Sequence, residues 1–270
     1  MMPEERRQKI IEILYANKSA TVKNLCDQLM ASEATIRRDL TVLEDEEKLE
    51  RVHGGAIIQS NVPIEKEDTY NEKEGVYLYE KKQIAKVAFS YLRENDSIFL
   101  DGGTTTIELA KLIGRSRIKI NVFTNAPHFT QFIAGNPKAE QFILGGRIRN
   151  NTLAVVGQLA IDTIRRFRLN KVFIGVNAIS LEYGLTTPDF EEAEMKRAIL
   201  EKGRERYILA DASKFNKVAL CEILPVSSVD TIITSSLDDD EIKEKFKLEG
   251  VLLVEATKKE AGMYDYDGDA

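Results

Sequence analysis

Residues 98–106 read IFLDGGTTT, and this stretch decides the class of the larger part of the chain. An apolar run of strand length meets Asp101, turns through Gly102-Gly103, and passes three threonines into the helical pattern of 104–113. A strand that turns through glycine into a helix opens a β-α unit. The pattern recurs along the chain. Apolar, β-rich runs stand at 120–124 (INVFT), 141–144 (QFIL), 171–176 (KVFIGV), 206–210 (RYILA), 230–234 (DTIIT) and 251–254 (VLLV), with helical patterns between most of them, as at 157–168 and 190–202. Near-continuously apolar strands alternating with helices predict an α/β domain with a mainly parallel sheet covered on both faces.

In such sheets ligands sit beyond the carboxyl ends of the strands. Those ends read Asp101-Gly102-Gly103-Thr104-Thr105-Thr106, Thr124-Asn125-Ala126, Gly145-Gly146-Arg147, Asn177 and Asp211-Ala212-Ser213-Lys214. The GGTTT helix start offers backbone N–H groups, hydroxyls and the positive end of a helix dipole to an anion. Lys214 adds a point charge, and Asp101 is placed to accept a sugar hydroxyl. Together they suit a small phosphorylated polyol, although turn chemistry alone also enriches such loops in Gly, Thr and Asn. Arg147 reads equally as a residue of a solvated loop. Glu192 and Lys196, at i and i+4, read either as pocket residues or as a helix-surface ion pair. His128, after Pro127, reads as a surface or capping residue.

The first 58 residues differ. Ile10, Ile11 and Leu14 mark one helix; Thr21 caps a second with Val22, Leu25, Cys26 and Leu29 on one face, Cys26 as a buried thiol. Ser32 caps a third, with Ile36, Leu40 and Leu43 inward. On a helical wheel Ala34, Arg38 and Thr41 then point outward, flanked by Thr35 and Arg37. Arginines beside small and hydroxyl residues suit a helix entering the major groove. The break at Met30, Ala31 and Ser32 has helix-turn-helix length. LERVHGGAII follows as a wing, with Arg51 and His53 beside a Gly54-Gly55 tip. Against this, residues 1–58 hold nine basic and eleven acidic residues, net −2, and the acidic run at 44–47 and Glu50 would repel DNA if they faced it. From spacing alone, a small helical domain whose arginines pair with acids such as Asp39 remains the alternative.

The whole chain has 270 residues, 43% hydrophobic and 30% charged, with 38 basic against 44 acidic residues. That is a globular composition whose bulk charge gives no reason to expect nucleic acid. Cys26 and Cys221 form no CxxC pair, so neither a disulfide framework nor a metal site is expected. No apolar run approaches the length of a membrane span, and the charged MMPEERRQKI start is unlike a signal peptide, so the expected location is the cytoplasm, with no membrane partner. The chain divides into a DNA-binding domain over 1–58, a polar linker over 59–79 with Pro63 and Gly75, an α/β domain over 80–258 and an acidic tail over 259–270.

The strings ERRQKIIEIL, TVKNLCDQLMASEATIRRDLTVLE and LERVHGGA resemble the winged helix-turn-helix of the DeoR family of bacterial regulators, TIRRDL and RVHGG being the specific parts. FLDGGTT, VFTNA, LGGRIR, GLTTPDFEEAEMKRAILEKG and ILADASKF are similar in order and spacing to that family's C-terminal sensor domain. The resemblance implies an α/β fold of the ribose-5-phosphate isomerase type and operator DNA read by the helix of Thr35, Arg37 and Arg38. It also implies a phosphorylated-sugar effector with phosphate at 102–106 and Asp101, Asn125, Glu192, Lys196 and Lys214 nearby. Three positions depart from the family pattern. Met30 stands where glycine or asparagine is common, Glu50 where a second wing arginine is common, and Asn177 where glycine or aspartate is common.

The expectation is a sugar-phosphate-responsive transcriptional regulator, a repressor of a sugar-metabolism operon, without cofactor or metal. It should be a homodimer or homotetramer, because one winged helix reads only a few base pairs. The rival is a sugar-phosphate isomerase-like enzyme with an added N-terminal domain. Such isomerases carry an acid-rich loop where this chain has GVNAIS, with no carboxylate until Glu182, and the sequence holds no GxSxG, HExxH, P-loop or GxGxxG pattern. Asp101, Asp189 and Glu192 are the carboxylates left that could act as a base, and catalysis is not expected.

Overall fold

The computed structural model describes residues 2–256 except 18, 46, 47, 53, 58–63, 65, 66 and 238. His53 of the wing, much of the 59–66 stretch and the acidic tail thus lie outside the described residues. The chain forms two compact units, Met1–Val62 and Pro63–Ala270.

The first unit runs α1 (Pro3–Asn17), β1 (Ser19–Thr21), α2 (Val22–Leu29), α3 (Glu33–Asp45), β2 (Glu50–Val52) and β3 (Gly55–Ile57). Ile10, Leu14, Val22, Leu25, Leu29, Ile36, Leu40 and Leu43 meet in one core, as their helical spacing requires. Thr21 caps α2 by accepting the Asn24 amide at 3.1 Å. The turn between α2 and α3 is Met30 to Ser32, and Met30 sits in the left-handed region at φ 50° with its side chain 91% exposed. That conformation explains why glycine or asparagine suits this position. Strand β1 has no signal in the sequence beyond its three residues; it pairs with β3, giving the antiparallel order β1-β3-β2. Gly55 permits that pairing, since a Cβ there would lie 2.2 Å from the Ala20 carbonyl oxygen.

The second unit begins with α4 (Tyr70–Glu74) and α5 (Leu78–Ser90), then β4 (Ser97–Leu100), α6 (Thr106–Arg115), β5 (Ile120–Thr124), α7 (Thr130–Ile133) and β6 (Ala139–Ile143). A hairpin of β7 (Arg147–Ile148) and β8 (Val155–Val156) leads to α8 (Gln158–Ile164) and β9 (Leu169–Gly175). After β10 (Ala178–Ser180) and β11 (Gly184–Thr187) come α9 (Phe190–Leu200), β12 (Gly203–Leu209), β13 (Cys221–Leu224), β14 (Thr231–Thr234), α10 (Asp240–Leu248) and β15 (Leu252–Glu255). Seven strands form one sheet in the order β15-β14-β12-β9-β4-β5-β6, every pair parallel. Residue alternation sorts the core into two layers. Ile98, Leu100, Phe173 and Leu209 pack with α5 and α6 on one face; Phe99, Val172, Ile174 and Ile208 pack with α8, α9 and α10 on the other. The chain leaves β4 toward β5 in one direction, and from β9 onward it builds the sheet in the other. The switch point lies between β4 and β9, where a crevice opens in folds of this class.

One expectation is corrected here. The segment 67–79 is no linker: α4 is closed by a capping box between Thr69 and Glu72, and Glu67 and Tyr70 are buried in the α/β unit. A helix of five residues with one buried aromatic among many charges carries too little apolar periodicity to be read as packed structure.

Candidate functional site

The outward face of α3 holds what the wheel placed there. Ala34, Arg37, Arg38 and Thr41 are exposed and Thr35 is half-buried. The Ser32 hydroxyl caps the helix, accepting the Thr35 amide at 3.3 Å. Arg37 is tied to Glu33 at 2.6 Å. Thr41 donates to the Arg37 carbonyl and accepts from Arg51 of β2 at 2.9 Å, which fixes the wing root against the helix. Asp39 points the other way: it is buried and paired with Arg6 at 2.6 Å. The outward arginines therefore do not pair with Asp39, although Arg37 does pair with an acid, Glu33, as the alternative expects. Among the described residues Arg38 has no partner. Gly54 takes a positive φ of 85° at the wing tip.

In the α/β unit a cavity opens at the β4–β9 switch point. Asp101 follows β4 and its carboxylate accepts the Gly175 amide at the end of β9, at 3.3 Å. Lys196 of α9 closes the same junction: its Nζ contacts Asp101 Oδ2 and donates to the Gly175 carbonyl at 2.9 Å. Asp101 and Lys196 are 2% and 7% exposed. Burial works against the Lys196 charge, and Asp101 and Glu192 outweigh it, holding the ammonium above its usual range. Glu192, one turn before, is 6% exposed. Burial opposes its charge too, and Lys196 and Arg149 prevail, so its carboxyl lies below the usual range. These two are pocket residues, and the helix-surface reading of the pair fails.

Gly102, Gly103, Thr104 and Thr105 line the cavity, as do Asn125 and Lys214. Asn125 acts as a strut: its Oδ1 accepts the Gly102 amide at 3.1 Å and its Nδ2 donates to the Val155 carbonyl at 3.2 Å. Other expected residues are elsewhere. Thr106 and Thr124 are fully buried, their hydroxyls donating to the Asp101 and Leu100 carbonyls, because strand and helix geometry turns them inward. Gly145 and Gly146 lie outside the cavity. Gly146 serves close packing, since a Cβ there would meet Val155 at 2.8 Å. Arg147 is exposed and paired with Glu191. The inward arginine is Arg149, two residues on, which binds Glu67 at 2.7 Å, Glu192 at 2.6 Å and Asp189 at 3.0 Å. His128 is likewise no surface residue: both its ring nitrogens are buried, and Tyr70 meets the ring edge-on at 4.9 Å.

The cavity has a roof that the sequence did not announce. Glu67, Asp68, Tyr70 and Lys73 come from the 67–77 strap, and Lys81 from α5. Lys81 is 4% exposed and donates to the Lys73 carbonyl at 2.5 Å. Burial, together with nearby Lys214 and Lys73, brings its ammonium down to about 8 despite the opposing pull of Asp211. The floor is thus a set of paired charges, Asp101 with Lys196 and Glu192 with Arg149, while Lys81 and Lys214 have no carboxylate within ion-pair distance among the described residues. An anion with hydroxyls fits that distribution. No group of three or more His, Cys, Asp or Glu side chains that could hold a metal exists among the described residues.

Residues 6–62 match the family model described as the DeoR-like helix-turn-helix domain, and residues 78–236 match that of the DeoR C terminal sensor domain. The chain belongs to the DeoR family. It is a helix-turn-helix transcriptional regulator with a C-terminal sensor domain. Among DeoR-type relatives, the HTH-type transcriptional regulator GlpR of Haloferax volcanii is 35% identical over 96% of this chain and 100% of that one. The lactose phosphotransferase system repressor of Lactococcus lactis subsp. lactis is 33% identical over 91% and 96% of the two chains. Among solved structures, ribose 5-phosphate isomerase A of Methanocaldococcus jannaschii aligns with a TM-score of 0.37 and 14% identity over 50% of this chain and 53% of that one. Among the described residues no helix is long and apolar enough to cross a membrane.

Proposed function

We propose that this DeoR-family regulator is a cytoplasmic repressor of a sugar-metabolism operon whose hold on its operator is set by a phosphorylated sugar in the α/β cavity. Residues 1–58 act as the DNA-binding domain, with Ser32, Ala34, Thr35, Arg37, Arg38 and Thr41 on the reading face and Arg51, His53 and Gly54 in the wing. Residues from 67 onward act as the sensor. The observation that carries the reading is the division of charge in the cavity: its floor carboxylates are each bound to a cation, while Lys81 and Lys214 above lack carboxylate partners among the described residues. A sugar phosphate suits both halves, its hydroxyls against Asp101 and Glu192 and its phosphate against the lysines and the Thr104-Thr105 part of the turn, the Gly102 and Gly103 amides being bonded within the protein.

The same pairing argues against the isomerase alternative. A base that takes a proton next to a carbonyl must have a free, basic lone pair, and Asp101 and Glu192 are held by Lys196 and Arg149. The relative of Lactococcus lactis is named a lactose phosphotransferase system repressor, which favours repression of a sugar operon here. A homodimer or homotetramer is inferred from site size.

The test is selection of source-genome fragments by purified protein, with each recovered fragment retested against a panel of sugar phosphates. One promoter, released by one sugar phosphate, is the expected result, and Lys214→Ala should bind that promoter normally without responding. Recovery of nothing at about 50–200 mM salt, where specific binders persist, together with turnover of a sugar phosphate, would favour the isomerase instead.

A further inference from the structure

The strap over the cavity is anchored at one point and poised at another. Its anchor is Tyr70, whose ring joins the buried core of the α/β unit and meets His128 edge-on, and whose amide donates to the Asn151 carbonyl at 2.7 Å. Its poised part is Lys73. The Lys73 ammonium lies 3.2 Å from Glu67, while the Lys73 carbonyl accepts Lys81 Nζ at 2.5 Å. Glu67 is itself buried and shared, because Arg149 reaches its other oxygen at 2.7 Å. Ion pairs therefore run from Lys73 through Glu67 and Arg149 to Glu192, whose charge acts in turn on Lys196 of the floor pair.

A dianion entering between Lys81 and Lys214 meets Lys73 as a third cation and competes with Glu67 for it. Glu67 is left satisfied, since Arg149 holds it independently. We propose that Lys73 and Glu67 are the positioning pair that reads the phosphate: the phosphate of the effector replaces the Glu67 carboxylate at Lys73, and the strap changes its packing with that exchange. Glu67 is then an internal competitor for the ligand. The required ligand is a phosphomonoester, because an uncharged sugar filling the floor leaves Lys73 on Glu67. The strap follows the 58–66 stretch that joins the two units, so the exchange takes place where the chain leads to the helix-turn-helix. This inference rests on the sugar-phosphate reading of the cavity.

The test uses the full chain, with fructose 1-phosphate, fructose 6-phosphate, glucose 6-phosphate and glycerol 3-phosphate as probes and the unphosphorylated compounds as controls. Calorimetry measures binding, and amide hydrogen exchange follows residues 67–77. A binding phosphate probe should change exchange across 67–77, and its unphosphorylated control should not. Lys73→Met should weaken that probe by about 10- to 100-fold, the worth of one charge-assisted contact, and abolish the exchange change at saturation. Glu67→Gln should bind the probe several-fold tighter, the opposite of what loss of a merely structural ion pair would do. Weaker or unchanged binding by Glu67→Gln, with α9 exchange normal to show an intact fold, overturns the proposal. So does a phosphate probe that binds without altering 67–77, an outcome that leaves the effector reading standing. Failure of every phosphate probe to bind the unmodified protein removes the effector reading and this inference together.

Discussion

Lys196→Met removes the cation at the centre of the cavity floor and leaves Asp101 in place. Asp101 is 2% exposed, and among the described residues its remaining side-chain hydrogen bond is from the Gly175 amide at 3.3 Å. Breaking a buried ion pair by deleting one partner costs about 3–5 kcal/mol, because the surviving charge stays desolvated. For a unit of about 200 residues each kcal/mol moves the midpoint by about 2–4 °C, so the α/β unit should unfold about 6–20 °C earlier. The chain has no tryptophan, so scanning calorimetry is the suitable assay, with the helix-turn-helix unit as an internal reference. Asp101→Asn combined with Lys196→Met removes both charges and should recover most of the loss. A penalty under about 1 kcal/mol for Lys196→Met is what an exposed pair would give, and it would refute the placement of this pair in a desolvated floor.

Three further outcomes follow from the geometry. Arg38→Ala should weaken operator binding by about 1–3 kcal/mol if the side chain forks onto a base; unchanged affinity in an anisotropy titration would remove Arg38 from the reading face. Met30→Gly should stabilise the N-terminal unit by about 0.5–1 kcal/mol, since it relieves a left-handed residue whose 91% exposed side chain packs on nothing; a fall in that unit's unfolding temperature would contradict this. Lys81 titrates at about 8, and an anion binds its protonated form, so phosphate-ligand affinity should be full below that pH and decline as pH rises through it. Lys81→Arg keeps the charge and should flatten the profile; a wild-type affinity constant from pH 7 to pH 9 would show that Lys81 does not meet the ligand.

Much of the architecture could be read from local pattern. IFLD into GGTTT gave β4, its turn and α6, and the spacing of Ile36, Leu40 and Leu43 oriented α3 so that Arg38 faces outward and Asp39 inward. Strand ends also located the cavity, because parallel topology gathers them at one edge. What local pattern lacks is side-chain direction and tertiary partners. Thr124 and Asn125 are adjacent, yet one turns into the core and the other to the cavity. Arg147 and Arg149 share the string RIR, and only the hairpin decides which one turns inward. Lys81 reads as one charge among several on a surface helix, and its burial depends on the strap above it. The capping signature of Thr69 and Glu72 was the available clue to that strap.

The central claim is that ligand in the cavity and DNA on α3 are energetically coupled, and reciprocity tests it directly. Operator affinity is measured with and without a saturating sugar phosphate, and affinity for that sugar phosphate is measured with and without saturating operator. Linkage requires the two ratios to be equal, and a coupling of about 1–3 kcal/mol makes each about 5- to 150-fold. Equal ratios well above one are the predicted result; tight binding of both ligands with ratios of one would contradict the account.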